Sequence, residues 1–260
     1  MRGTRTPRRP SPAAICILAG LLTMCGGVRA EVALVAVAAN FAEVMERLES
    51  DFERQSPHAL TVTSGSTGKL YAQISAGAPF DVLLAADQSY PARLESAGLA
   101  IRGSRFTYAT GRLSLWSADA ARISGDGAAV LRRGEFRRLA MANPELAPYG
   151  VAARELLEAL NLFDSLRGRI VMGENIGQTH AMVATGNAEL GLVARAHVMS
   201  ERNTTGGSHW DVPPDYHSPI RQDAVLLTRA EDNSAARDLL AYLRRPDVRE
   251  VIREYGYDVD

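Results

Sequence analysis

Apolar and polar positions follow one another along this chain in two rhythms. Residues 32–39 are unbroken apolar sequence, the length and composition of a strand buried on both faces. Asn40 follows as a candidate helix N-cap, and Phe41, Val44, Met45, Leu48 and Phe52 then recur at helical spacing. Residues 60–63 predict a second strand. The turn Ser64-Gly65-Ser66-Thr67-Gly68 leads from it into a helix through Leu70, Tyr71 and Ile74, which Gly77-Ala78-Pro79 ends. A third strand is expected at 82–85. Strand and helix alternating in this way predict a parallel α/β sheet.

A second unit follows. Residues 106–116 form a long strand-like run interrupted by Gly111, which reads as a crossing out of the first unit. Strands are expected at 139–142, 170–172 and 190–193. Helices open after Pro148-Tyr149-Gly150 and at Ile176-Gly177, and Gly186 closes the second of these as a C′ residue. Residues 203–214, with Gly206, Gly207 and two prolines, are expected as a loop. A return strand at 220–227 and helices over 234–255, broken at Pro246, bring the chain back. The expected architecture is therefore α/β and two-lobed. Lobe I comprises 31–109 plus 220–260 and lobe II 110–219, and two crossing segments form a hinge beside a cleft.

Composition narrows the class. With 46% apolar residues and ordinary glycine and proline content, the chain supplies a packed core, which excludes disorder and collagen-like sequence. Residues 1–30 stand apart. Arg2, Arg5, Arg8 and Arg9 precede an apolar stretch at 13–24 that is too short to span a bilayer, and Val28-Arg29-Ala30 offers small residues at a cleavage point. This is the layout of a secretory signal peptide, and the periplasm is the expected location. Cys25 raises a lipid-tethered alternative, but Met24 stands where that processing requires a small residue. Cleavage removes five arginines and no acids, leaving 24 basic against 30 acidic residues, net −6, and no basic block for nucleic acid. It also removes both cysteines, so neither disulfides nor thiol chemistry is expected.

Four strand-to-helix junctions carry the candidate chemistry: Ala39-Asn40, Ser64 to Gly68, Tyr149-Gly150 and Asn175-Ile176-Gly177. Each places unpaired backbone N–H groups at a helix start, where the macrodipole favours negative charge. In open α/β sheets such junctions lie where ligands bind. Asn40, Ser66 and Thr67 add uncharged side-chain donors, and the only acid at a junction is Glu174. The set suits an oxyanion held by dipoles rather than by a counter-charge. Six hydrogen bonds to a charged group, at roughly 1.5–3 kcal/mol each, leave a micromolar to nanomolar affinity after ordering and association costs.

Other motifs fail on their spacing. Ser66-Thr67-Gly68-Lys69 fits the S-x-x-K of exported serine acylases, with Ser66 as nucleophile and Lys69 as its activator. Lys69 is the chain's single lysine, so the companion K-T-G is missing, as is S-D-N. A P-loop would need glycine at Thr63. The five histidines show no tight metal spacing, although His209 and His217 share a loop. Trp116 and Trp210 read as lobe packing. Sulfate and phosphate remain rival tetrahedral anions on these residues alone.

The same junctions carry a resemblance. VAVAANF (35–41), SGSTGKLYAQISAGAPFDVLLAAD (64–87), NPELAPYGVAARELL (143–157), GENIGQTHAMVATGNAELGLVA (173–194) and PIRQDAVLL (219–227) resemble the periplasmic molybdate-binding proteins that serve ABC transporters. The resemblance implies a type II-like periplasmic-binding-protein fold and a molybdate or tungstate dianion in its cleft. It also implies no cofactor, no enzymatic step, no direct protein ligand to molybdenum, and a membrane permease as partner to a monomeric protein. Carried over by position, it places contacts on Asn40 with the backbone at Ala39, on Thr67 with Ser66 adjacent, and on the backbone around Tyr149 and Ile176. Some members bring a tyrosine hydroxyl to the anion from a segment that is here Val193-Ala194-Arg195-Ala196, which has none.

Overall fold

An unbroken apolar run needs protein on both of its faces, and residues 32–38 have it. In the computed structural model, which describes residues 30–259 and Gly3, the chain opens with β1 (Val32–Ala38), α1 (Ala42–Gln55), β2 (Ala59–Gly65), α2 (Thr67–Ser75), β3 (Val82–Leu84), α3 (Ser89–Ser96) and β4 (Phe106–Gly111). It crosses to β5 (Leu113–Ser117). There it builds α4 (Gly127–Arg133), β6 (Leu139–Ala142), α5 (Pro148–Ala159), α6 (Phe163–Leu166), β7 (Ile170–Gly173), α7 (Ile176–Ala184), β8 (Leu190–Ala194), α8 (Arg195–Met199) and β9 (Ser208–Asp211). The return is β10 (Ile220–Leu226), followed by α9 (Ser234–Leu243) and α10 (Pro246–Glu254). The expected signal peptide, with Cys16 and Cys25, lies outside the described residues apart from Gly3 and Ala30.

Two five-stranded sheets result, in the orders β2-β1-β3-β10-β4 and β7-β6-β8-β5-β9. In the first, alternate residues feed opposite cores. Val35, Val37, Val82, Leu84, Ala224 and Leu226 join Phe41, Leu48 and Leu239 on one face. Ala36, Leu83, Ala85, Val225 and Leu227 meet Leu70, Ile74 and Leu94 on the other. The second sheet divides likewise, with Leu113, Leu139 and Leu192 against Leu156 of α5, and Trp116, Ala140 and Val193 against Val183 of α7.

The sheets are mixed rather than parallel. β10 runs antiparallel to both β3 and β4, and β5 antiparallel to β8 and β9. The crossings impose this, because each brings the chain into a sheet from the end facing the other lobe. Within the expected loop at 203–214, residues 208–211 form β9 beside β5, with Trp210 opposite Leu115. Two aspects of the helix expectations also change. α3 and α4 were not read from the pattern, and the helix after β1 starts at Ala42, behind a 3₁₀ turn at Ala39–Phe41 that Asn40 does not cap. Gly186 takes φ +75°, as its C′ role requires.

The lobes touch along the cleft. Gly68 N–H donates to Leu146 O at 2.9 Å, an approach so close that a Cβ on Gly68 would sit 3.0 Å from that oxygen. Ser200 Oγ donates to the Glu43 carboxylate, and Arg202 pairs with Glu46 at 2.6 Å. His197 of α8 packs against His180, which stacks on Trp116. Burial and the neighbouring His180 lower His197 to about 4, against an opposing hydrogen bond to the Ala39 backbone. A histidine held below its free value binds fewer protons folded than unfolded, so its stabilisation is complete above pH ~6.5 and is lost as pH falls toward its folded value. The unfolding midpoint is expected to drop from pH 7 to pH 5, and His197→Gln to flatten that slope. Thermal scans of the two proteins across this range check it, equal slopes being the contrary result.

Candidate functional site

Three helices and the 3₁₀ turn bring their N-termini to one cleft between the lobes. Ala39, Asn40, Ser66, Thr67, Tyr149 and Ile176 all line it. The six residues singled out in the sequence are therefore neighbours, although up to 137 positions separate them.

Backbone geometry leaves donors free at each corner. The first turn of α5 has Pro148 without an N–H, while Gly150 and Val151 both donate to Ala147 O, at 2.8 and 3.2 Å. Tyr149 N–H alone is left. In α7 the Asn175 side chain caps Gln178 N–H at 2.9 Å and Asn175 O accepts from Thr179 N–H at 3.1 Å, which leaves Ile176 and Gly177. Ala39 N–H continues the β1–β2 ladder beyond the Ala38–Gly65 pair, whereas the N–H groups of Asn40, Thr67, Tyr149, Ile176 and Gly177, at the starts of their helices or turn, have no acceptor within them. Such groups are costly to enclose unless something accepts from them.

Two hydroxyls stand with these donors. Ser66 precedes α2 without capping it, and its Oγ is buried and unpartnered among the described residues. Thr67 is also buried, and its Oγ1 accepts from Ala86 N–H at 3.0 Å. That bond occupies a lone pair and leaves the hydroxyl hydrogen to donate elsewhere.

Asn40 behaves differently from the expectation that its side chain is an N-cap and an anion donor. Both Nδ2 hydrogens are taken, by Gln222 Oε1 at 2.8 Å and Tyr257 Oη at 3.1 Å. Asn40 contributes to the cleft through its N–H. The Tyr149 hydroxyl likewise faces Gln222, 3.4 Å from Nε2. Sequence reading missed Gln222, Tyr257 and Tyr108, which form the polar floor beneath the cleft. Gln222 carried a signal, a polar residue expected inside an apolar return strand. Tyr257, near the chain end, carried none.

The site is electrically neutral. Lys69 Nζ lies 2.6 Å from Glu174 Oε2 across the cleft, so the cation and the one acid at the junctions cancel each other. That pairing also denies Ser66 the free amine that an acylase needs. Burial pushes the Tyr149, Tyr108 and Tyr257 hydroxyls up, which keeps them protonated. No group of three or more His, Cys, Asp or Glu side chains suited to a metal occurs among the described residues.

Known proteins share this architecture. Residues 33–258 match the family described as bacterial extracellular solute-binding protein. The molybdate-binding protein ModA of Azotobacter vinelandii is 49% identical over 94% of this chain and 95% of its own. That of Rhodobacter capsulatus is 42% identical over 86% and 87%. The solved structure of the Azotobacter vinelandii periplasmic molybdate-binding protein superimposes with a TM-score of 0.84 at 38% identity, covering 88% of this chain and 99% of that one. A two-lobed fold with a donor-lined cleft and matches running nearly end to end lead to one assignment: the chain belongs to the bacterial extracellular solute-binding proteins.

Proposed function

We propose that this protein captures molybdate, or its congener tungstate, in the periplasm and delivers it to a membrane ABC permease. The observation that carries the reading is the set of unpaired donors. The N–H groups of Asn40, Thr67, Tyr149 and Ile176 and the hydroxyls of Ser66 and Thr67 surround a small neutral cleft, and they come from both lobes. A tetrahedral dianion presents four oxygens rich in lone pairs and no hydrogen, which is the complement of such a set. Ala39, Asn40, Ser66 and Thr67 hold it from the first lobe, Tyr149 and Ile176 from the second. Oxygen alone meets the protein, so the metal atom has no protein ligand and no cofactor takes part.

Capture is a binding event without a covalent step. Helix N-termini attract the anion, and closure then replaces its hydration shell with fixed dipoles. The closed pair of lobes is the form that the permease meets, and the protein acts as a monomer without nucleic acid. Sulfate has the same charge and shape, and its discrimination rests on size. The high identity to two molybdate-binding proteins favours the larger anions.

Calorimetric titration with molybdate, tungstate, sulfate and phosphate tests the reading. Molybdate and tungstate are expected to bind with micromolar to nanomolar affinity, and sulfate and phosphate much more weakly. Sulfate binding as tightly as molybdate would overturn the choice of anion. At the site, Thr67→Val and Ser66→Ala are each expected to weaken molybdate binding by about 1.5–3 kcal/mol, the worth of one hydrogen bond to a charged group. An unchanged dissociation constant for either variant removes that hydroxyl from the anion's shell.

A further inference from the structure

Beneath the cleft, four side chains from distant parts of the sequence stand in a buried polar ring, three of its four sides hydrogen-bonded. Asn40 Nδ2 donates to Gln222 Oε1 at 2.8 Å, and Gln222 Nε2 donates to Tyr149 Oη at 3.4 Å. The Tyr149 hydroxyl also lies near that of Tyr257. Tyr257 Oη donates to Asn40 O at 2.6 Å. All four are at least 96% buried, and none carries a charge.

The membership of the ring matters more than its strength. Asn40 follows β1, Gln222 lies in the return strand β10 and Tyr257 follows α10, all in the part of the chain that builds the first sheet. Tyr149 belongs to α5 of the second lobe. Its hydroxyl is the member that arrives from across the cleft, while its N–H faces the cleft itself. The first crossing is shaped around this meeting, for a Cβ on Gly111 would stand 2.1 Å from Tyr149 Oη and 2.6 Å from Gln222 Nε2. Tyr108 of β4 completes the floor, its hydroxyl 3.0 Å from Gln222 Oε1.

We propose that Gln222 and Tyr257 are positioning residues for anion capture, which receive the Tyr149 hydroxyl on closure and so fix the N–H groups of Asn40 and Tyr149 around the anion. The inference rests on the oxyanion-binding reading and deepens it. In the open form Tyr149 leaves the ring and its hydroxyl returns to water. The ring therefore adds to the stability of the closed form alone, and it adds the same amount whichever anion fills the cleft.

Three variants test this: Tyr149→Phe, Tyr257→Phe and Gln222→Met, each measured by calorimetry with molybdate and tungstate, by stopped-flow kinetics and by thermal unfolding without ligand. Each is expected to bind roughly 3- to 10-fold more weakly, the worth of one buried neutral hydrogen bond. The loss should appear in the dissociation rate and leave the molybdate-to-tungstate ratio unchanged, and in Tyr149→Phe, whose ring partner Gln222 lies across the cleft, the unliganded unfolding midpoint should stay unchanged as well. Tyr149→Phe combined with Tyr257→Phe is expected to lose no more than either alone, because one ring is broken once. Wild-type affinity in Tyr149→Phe, additive losses in the pair, or an unliganded Tyr149→Phe midpoint that falls with the affinity overturns the ring while leaving wild-type binding intact. Wild-type protein that binds no molybdate overturns the functional reading, and the ring's role with it. The variants are separate, so any one that folds decides the matter.

Discussion

A buried N–H without an acceptor costs free energy, and this protein gathers four from helix or turn starts, those of Asn40, Thr67, Tyr149 and Ile176, around one cleft. Sheets and helix interiors pair their own backbone groups, and helix starts leave N–H groups over. The exceptions gather at four helix or turn starts that two lobes bring together. The arrangement is tolerable only because each N–H lies where water reaches it in an open cleft and an anion reaches it in a closed one. The architecture follows from that constraint. Strands end at the cleft so that helices begin there, and two crossings let the halves part.

Neutrality is part of the same logic. A fixed arginine in the cleft would attract anions of many shapes through a long-ranged field, and its grip would survive a poor fit. Donors of fixed direction reward only an acceptor that meets each of them. The cleft also offers little to a protonated oxyanion, whose O–H needs an acceptor. Thr67 Oγ1 already accepts from Ala86 N–H, and the Glu174 carboxylate is occupied by Lys69. Tyrosines pushed up by burial add polarity beneath the cleft without adding charge.

Much of this was legible in the sequence because its signals are local. The apolar run at β1, the Ser-Gly-rich turn before α2 and the glycine after α7 each have one physical reading, and the helix starts that carry the donors follow from them. The parts that were not legible depend on pairing over long distances. Strand direction is set by how the crossings enter each sheet, so an apolar run such as 220–226 reads the same whether it runs parallel or antiparallel. Asn40 looked like a helix cap because a cap is what asparagine does alone. Its partners stand 182 and 217 residues away, and nothing near Asn40 announces them.

Closure has to be reversible for a carrier, and the contacts between the lobes have the right weakness. Lys69–Glu174 and Arg202–Glu46 are solvent-exposed pairs, of the kind whose net worth is about 0–1 kcal/mol. Gly68 N–H to Leu146 O is a single backbone bond that water replaces when the lobes part. None of these holds the closed form by itself against the hinge's freedom. The anion contributes the larger share, because it alone satisfies donors from both lobes at once. Closed and loaded are then nearly the same state, which lets a partner that recognises the closed surface select the loaded carrier without touching the cargo.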